Sequence, residues 1–368
     1  MRPLAREAEP RRARSRGVRA ACSLVLAILT AASLAVPARA AGTNAPGTSR
    51  AARNDPGATP AAPASAADAA QPAIRPRCPP DPQPPTPDQA RELAAQATDH
   101  GFLWRITKNG HSSYLYGSMH VGRLAWAFPG PALREAWART DTLALELDLT
   151  DPTLQAQMQQ AIARSPQPAL PASLRDRLAR QVALACVPPH ALDALPPAMQ
   201  AATLSAVAGR PDGLEPAYAQ EEALAGMAVA QQRRIVGLET AAEQVRALLP
   251  ATRREAVAMV EEAIEPLEHD GGLASLRQLT QVWATSDLAA LEDYPSWCDC
   301  VRNAEERREM RHLLDDRNPH LAERIDALHA QGRQVLAAVG ALHMAGPVGL
   351  PRLMAARGYE VEQLLPRH

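Results

Sequence analysis

Two short segments of this chain share one pattern. Tyr114-Leu115-Tyr116-Gly117-Ser118-Met119-His120 and Ala337-Ala338-Val339-Gly340-Ala341-Leu342-His343 each run an apolar stretch into glycine, two further residues and a histidine. A glycine near a strand end permits close backbone approach or a left-handed turn. The histidine then projects just past the strand, where ligands collect in sheets covered by helices. Imidazole suits divalent metals, and two histidines with a carboxylate form a hydrolytic set. One such histidine alone is more often a hydrogen-bonded loop residue, so the repetition is what points to chemistry.

Two carboxylates are candidates to complete that set. Glu146 sits in the otherwise apolar Leu143-Ala144-Leu145-Glu146-Leu147-Asp148-Leu149. Buried there, it would have to be functional or paired with an arginine, while strict alternation offers a solvated face as the plainer account. Glu239 follows Ile235-Val236-Gly237-Leu238, again at a strand end, with Thr240 placed to cap a helix from Ala241. Its plainer account is a carboxylate favoured by the helix dipole. Arg317-Asn318 could face an oxyanion, although Asp315-Asp316-Arg317-Asn318-Pro319 also reads as a turn before a helix. Nucleophile elbows, Walker loops, H-E-x-x-H and dinucleotide fingerprints are absent from the sequence.

These residues need a scaffold, and the pattern supplies one. Phe102 to Thr107, a turn at Asn109-Gly110 and Ser113 to Met119 predict a hairpin. Thr142 to Leu149, Arg234 to Leu238, Gln334 to Val339 and Tyr359 to Leu364 predict four more strands. Helical stretches fall between them: Leu174 to Ala185, Pro216 to Gln231, Ala241 to Leu248 and Arg253 to Leu267, with a short helix from Asp88 to His100 ahead of the hairpin. The expected fold is α/β (α+β): a mixed central sheet with an N-terminal hairpin, surrounded by many helices. Its core should be built from Leu, Val and Ala, since only 3% of residues are aromatic.

The ends of the chain carry different information. Arg2 to Arg19 is basic, Ala21 to Val36 is uncharged, and Pro37-Ala38-Arg39-Ala40 offers a cleavage site, so residues 1–40 read as a signal peptide. An uncleaved anchor is the alternative, with an apolar core short of the ~20 residues that span a bilayer. Residues 41–90 hold twelve prolines among small polar residues and read as a flexible linker, followed by one folded domain over 91–366. Export to the periplasm or beyond is therefore expected, with no stable membrane span once the signal is cleaved. Cys78, Cys186, Cys298 and Cys300 then become disulfide candidates. Cys298-Asp299-Cys300 is so tight that each cysteine is expected to reach a distant partner, Cys78 or Cys186, with a metal site at C-x-C as the alternative. A net charge of −1 argues against a nucleic-acid partner.

Leu103-Trp104-Arg105-Ile106, both G-x-x-H segments, Leu143 to Leu149, Gly237-Leu238-Glu239-Thr240, Arg317-Asn318 and Val339 through Gly346 to Gly358-Tyr359 together resemble the TraB/GumN family. That family includes the Tiki metalloproteases, and its fold is similar to that of erythromycin esterase and ChaN-like proteins. The resemblance spans about Phe102 to Leu364. It implies a divalent-metal-dependent peptidase site in which His120 and His343 bind Mn²⁺, Co²⁺ or Zn²⁺. Glu146 or Glu239 would complete the site, the other acting as base, with Arg317 stabilising the oxyanion beside Asn318. Gly213-Leu214-Glu215 departs from the family pattern, which often has aspartate at the third position. The leading expectation is an exported metal-dependent hydrolase acting on peptides or proteins. The rivals are a non-catalytic periplasmic binding or envelope-assembly factor of the same fold, and metal-free ester hydrolysis with a histidine base.

Overall fold

The computed structural model of the protein describes residues 78–188, 190–269, 272–298 and 300–365. The expected signal peptide, and the linker up to Arg77, lie outside the described residues. The Asn109-Gly110 turn, with both residues at positive φ, joins β1 (Phe102–Lys108) to β2 (His111–Ser118) as an antiparallel hairpin. β3 is Thr142–Leu145, β4 is Arg234–Gly237, β5 is Val335–Gly340 and β6 is Glu360–Leu365. They form one mixed six-stranded sheet in the order β4-β3-β5-β2-β1-β6.

β4, β3, β5 and β2 are mutually parallel, and β1 runs against both β2 and β6. Parallel strands must be buried on both faces, which is why β5, Val-Leu-Ala-Ala-Val-Gly, is buried along its whole length. The crossovers are helical. Gln220–Ala230 packs on β3 and β4, and Asn318–Ala330 packs on β5. Each leads directly into the strand that follows it, so its N-terminus lies at the sheet edge where the parallel strands end.

Leu, Val and Ala dominate the central core, as the composition implies. A second apolar cluster, including Leu174, Leu178, Leu204, Val260 and Ile264, ties together helices Ala172–Leu184, Pro197–Val207 and Arg253–Glu268. Among the described residues no helix is long and apolar enough to cross a membrane.

Two expectations need correction. The third strand stops at Leu145, so Glu146 stands at its end and not within an alternating strand. The disulfides pair Cys78 with Cys186 and Cys298 with Cys300. The Cα atoms of Cys298 and Cys300 are 5.1 Å apart, within disulfide reach despite the single intervening residue. Near the first bridge, Arg210 donates to Pro80 O and Asp81, and Tyr218 exchanges hydrogen bonds with the backbone of Gln83.

Candidate active site

The four parallel strands deliver four chemistry-bearing residues to one edge. Across the sheet, β4 leads to Glu239, β3 to Glu146, β5 to His343 and β2 to His120. Ser118 pairs with Gly340 and Leu145 with Ala338, so the residues that follow converge over the C-terminal ends of the strands. Both motif glycines serve close approach, since neither has positive φ. A β-carbon on Gly117 would lie 3.1 Å from Met344 Cγ and 3.2 Å from the Ala341 Cα. One on Gly340 would lie 3.2 Å from His120 Nε2, 3.5 Å from Glu146 Oε1 and 3.7 Å from His343 Cδ2.

Arg317 binds the two acids together. It stands at the N-cap of Asn318–Ala330, after a π-helical turn at Arg311–Asp315, a local rearrangement often found at functional sites. Its Nε donates to Glu239 Oε1 at 2.9 Å, and its Nη2 donates to Glu239 Oε2 at 2.5 Å and Glu146 Oε2 at 2.6 Å. Its Nη1 donates to Leu313 O at 3.0 Å and faces His343 Nε2 at 3.3 Å. The five N–H groups of the guanidinium are thus all directed at protein acceptors. Gln244 adds donations to Glu239 Oε2 at 2.6 Å and Glu146 Oε2 at 3.2 Å, and the Gly340 N–H donates to Glu146 Oε1 at 3.0 Å. Burial favours the neutral acid at Glu146, but Arg317, His343, His120 and the Gly340 N–H outweigh it and hold the carboxyl well below its usual range.

The histidines are held by their Nδ1 atoms. His343 Nδ1 lies 2.6 Å from Asn318 Oδ1. Asn318 Nδ2 donates to the carbonyls of His343 and Val348, which fixes Oδ1 as acceptor and His343 Nδ1 as donor. Its Nε2 lone pair therefore faces Arg317. Burial and then the Arg317 charge press His343 down to about 3, so it is neutral. His120 Nδ1 lies 3.0 Å from Glu221 Oε1, which also accepts from Ser118 Oγ at 2.5 Å. Burial opposes a charge on His120, yet Glu221 and Glu146 outweigh it and raise the ring to about 9.

A tight cleft of about 30 Å³ opens beside both rings. Met119, Val121, Leu276, Leu279 and Leu342 give it apolar walls, with His120 and His343 at its polar end. The residue types there, two imidazoles and a carboxylate, are ones that divalent ions take, although only His120 Nε2 and Glu146 Oε1 face the space above Gly340, the His343 ring presenting its Cδ2 edge. As the side chains stand, no group of three His, Cys, Asp or Glu among the described residues has the spacing to hold a metal ion. Arg317 is the reason visible at Glu146 and Glu239, whose oxygens it engages directly.

The structure therefore gathers His120, His343, Glu146, Glu239, Arg317 and Asn318 at one sheet edge. Thr240 caps Ala241–Leu248 in a capping box with Glu243. Glu215 is bound by Arg210, through Nε at 3.1 Å, and makes no hydrogen bond to these residues. Three contributors escaped the sequence argument. Glu221 and Gln220 open the helix that leads to β4, and Gln244 lies on the first turns of the helix after it. Gln244 is five residues after Glu239 and was accessible as a polar residue on a helix beginning at a site residue. Glu221 is 101 residues from His120 and gave no local signal.

The sequence profile of the TraB/PrgY/gumN family matches residues 102–363, and the chain belongs to that family. Comparison with curated proteins and with solved structures gives no match.

Proposed function

We propose that this member of the TraB/PrgY/gumN family is an exported, metal-dependent hydrolase acting on peptide bonds. The observation that carries the proposal is the meeting of both G-x-x-H histidines and Glu146 around Gly340, reached from three adjacent parallel strands. His120 and His343, through Nε2, and Glu146, through Oε1, would hold Mn²⁺, Co²⁺ or Zn²⁺. Such an ion supplies Lewis acidity and lowers the pKa of water toward ~7. Glu239 acts as the general base, being a strand-end carboxylate beside Glu146 through their shared Gln244 and Arg317. Asn318 holds the His343 ring in the tautomer with Nε2 unprotonated, its lone pair facing Arg317 Nη1. Because the N–H groups of Arg317 already have acceptors, we give it the role of counter-charge that fixes both carboxylates, in place of oxyanion donor. Export is supported by the signal-like N-terminus and by two disulfides.

A second reading is favoured by Arg317 and by the split between the rings. With the acids engaged by a guanidinium, His120 raised to about 9 and His343 lowered to about 3, the pair resembles an acid and a base set apart by their surroundings. That arrangement suits hydrolysis without a metal.

The deciding experiment measures metal content and Mn²⁺, Co²⁺ and Zn²⁺ affinity for the purified mature chain, His120→Ala and His343→Ala, followed by a peptide-cleavage screen with and without chelator. Stoichiometric metal lost in both variants, with chelator-sensitive cleavage, is the expected result. Cleavage that survives chelation would establish the second reading. Absence of metal binding by the unaltered chain would overturn the first.

A further inference from the structure

The cleft beside the two histidines is walled by three separate parts of the fold. Met119, Val121 and Leu342 come from the segments that follow β2 and β5, Ala206 from Pro197–Val207, and Leu276 and Leu279 from Gly272–Ala284. All six side chains are buried. Leu276 and Leu279 are three residues apart and so share one face of their helix. Leu276 is backed by Gly209, on which a β-carbon would lie 3.0 Å from Leu276 Cδ2, and that close backbone keeps it from withdrawing. The space stays open because Ala206, Gly340 and Ala341 are small. Protein interiors hold few voids larger than a water molecule, so an opening of about 30 Å³ that ends on two site histidines has the form of a ligand pocket. No Asp, Glu, Lys or Arg is among the described residues that line it. A charged side chain entering the apolar end would lose its hydration and meet no counter-charge. The volume is close to the share of one water in the liquid, ~30 Å³, which matches a methyl group and is too small for a leucine or phenylalanine side chain.

We propose that this cleft is the subsite for the substrate side chain beside the scissile bond, that it takes an alanine-sized apolar group, and that Ala206, Leu276 and Leu279 set its size. The inference rests on the peptide-hydrolase reading and holds with or without a metal ion, since it uses only the apolar walls. The scissile bond lies at the histidine end, and the methyl group points toward Leu276 and Leu279. Glycine leaves the cleft unfilled, and leucine requires the walls to move, so alanine is preferred over both. One methylene more or less in an apolar pocket of this kind changes kcat/KM about 10- to 200-fold.

The test is a positional-scanning peptide library incubated with the full mature chain, with and without added Mn²⁺, Co²⁺ and Zn²⁺. Mass spectrometry locates the cuts, and kcat/KM is then measured on matched substrates with alanine, glycine or leucine at the selected position. The unaltered protein should favour alanine over both others, at one position next to the cut, by about 10-fold or more. Leu279→Ala enlarges the cleft and should admit leucine there. Ala206→Val narrows it without removing core contacts, and should lower kcat/KM for the alanine substrate about 10-fold while glycine is cleaved as by the parent. Leu184→Ala, at an exposed position on Ala172–Leu184, should keep the parental preference. Circular dichroism checks folding, and Ala206→Val decides the matter if Leu279→Ala does not fold. Cleavage without an alanine preference, or a preference that the folded variants leave unchanged, would overturn the subsite while leaving the hydrolase reading intact. No cleavage by the unaltered chain under any of these conditions would overturn the hydrolase reading itself, and this inference with it.

Discussion

Arg317 and Glu239 meet at two points, Nε to Oε1 at 2.9 Å and Nη2 to Oε2 at 2.5 Å, with the arginine side chain 9% and the glutamate 3% exposed. The same Nη2 reaches Glu146, so one guanidinium compensates two carboxylates at the ends of β3 and β4. Removing it would leave both acids buried with only Gln244 and the Gly340 N–H as donors. We expect Arg317→Ala to lose about 3–5 kcal/mol in urea unfolding, the usual cost of orphaning a buried charge. Arg317→Lys should recover only part of this, because an ammonium on a single stem cannot reproduce the two-point contact. An Arg317→Ala protein as stable as the parent would show that the pair contributes nothing to folding.

Gly340 is where the site is most crowded. Its backbone angles, φ −49° and ψ 137°, are open to any L-residue, so alanine there is a test of space alone. The added methyl would stand 3.2 Å from His120 Nε2 and 3.5 Å from Glu146 Oε1. Gly340→Ala should keep the fold and displace those donors, lowering metal affinity or turnover by on the order of 10²-fold. Circular dichroism and affinity measured together check this, and parental affinity in the variant would mean that the space above Gly340 is not used.

The legible parts of this molecule are those encoded over a few residues. Asn109-Gly110 announced the hairpin, and Ala241–Leu248 follows Thr240 as the capping signal implied. The two G-x-x-H segments and both strand-end acids could be found because each sits where a hydrophobic run stops. Their mutual arrangement was not readable, since it depends on the strand order β4-β3-β5-β2, which places residues far apart in sequence side by side. Arg317 and Glu146 are 171 positions apart, and no local pattern distinguishes a site arginine from a turn arginine. At Cys298 and Cys300 local spacing is a poor guide, because the two Cα atoms stand 5.1 Å apart, within disulfide reach.

Far from the site, His329 is stacked on His111 with ring centroids 3.8 Å apart. Its Nδ1 lies 2.9 Å from Ser113 Oγ, which accepts from the Val335 N–H, and its Nε2 faces Lys108 O. With Nε2 donating to Lys108 O, a neutral ring leaves Nδ1 to accept from the Ser113 hydroxyl. Asp326, Lys108 and Tyr359 surround the pair. Burial is the main influence, with the His111 charge adding to it, and the pKa of His329 falls below 6.5. A depressed histidine pKa means that the unfolded chain binds the extra proton first. The contribution is therefore complete above about pH 6.5 and is lost as pH falls toward the folded-state value. We expect the stability difference between pH 7.5 and pH 5 to shrink in His329→Gln, measured by urea unfolding. An identical pH dependence in variant and parent would exclude His329 as a contributor.

The two disulfides should matter very unequally. Cys78–Cys186 links positions 108 apart and ties the segment before Pro87–Gln96 to the end of Ala172–Leu184, whereas Cys298–Cys300 closes a separation of two. On the chain-entropy account, the long loop is worth about 5 kcal/mol and the short one ~1–2 kcal/mol. Arg210 adds to the asymmetry, since it donates to Cys186 O at 2.8 Å and holds Glu215 and Asp81, all next to the first bridge. Cys78→Ser with Cys186→Ser should lower the unfolding midpoint several degrees more than Cys298→Ser with Cys300→Ser, as scanning calorimetry would record. Equal losses in the two double variants would mean that loop closure is not what the Cys78–Cys186 bridge contributes.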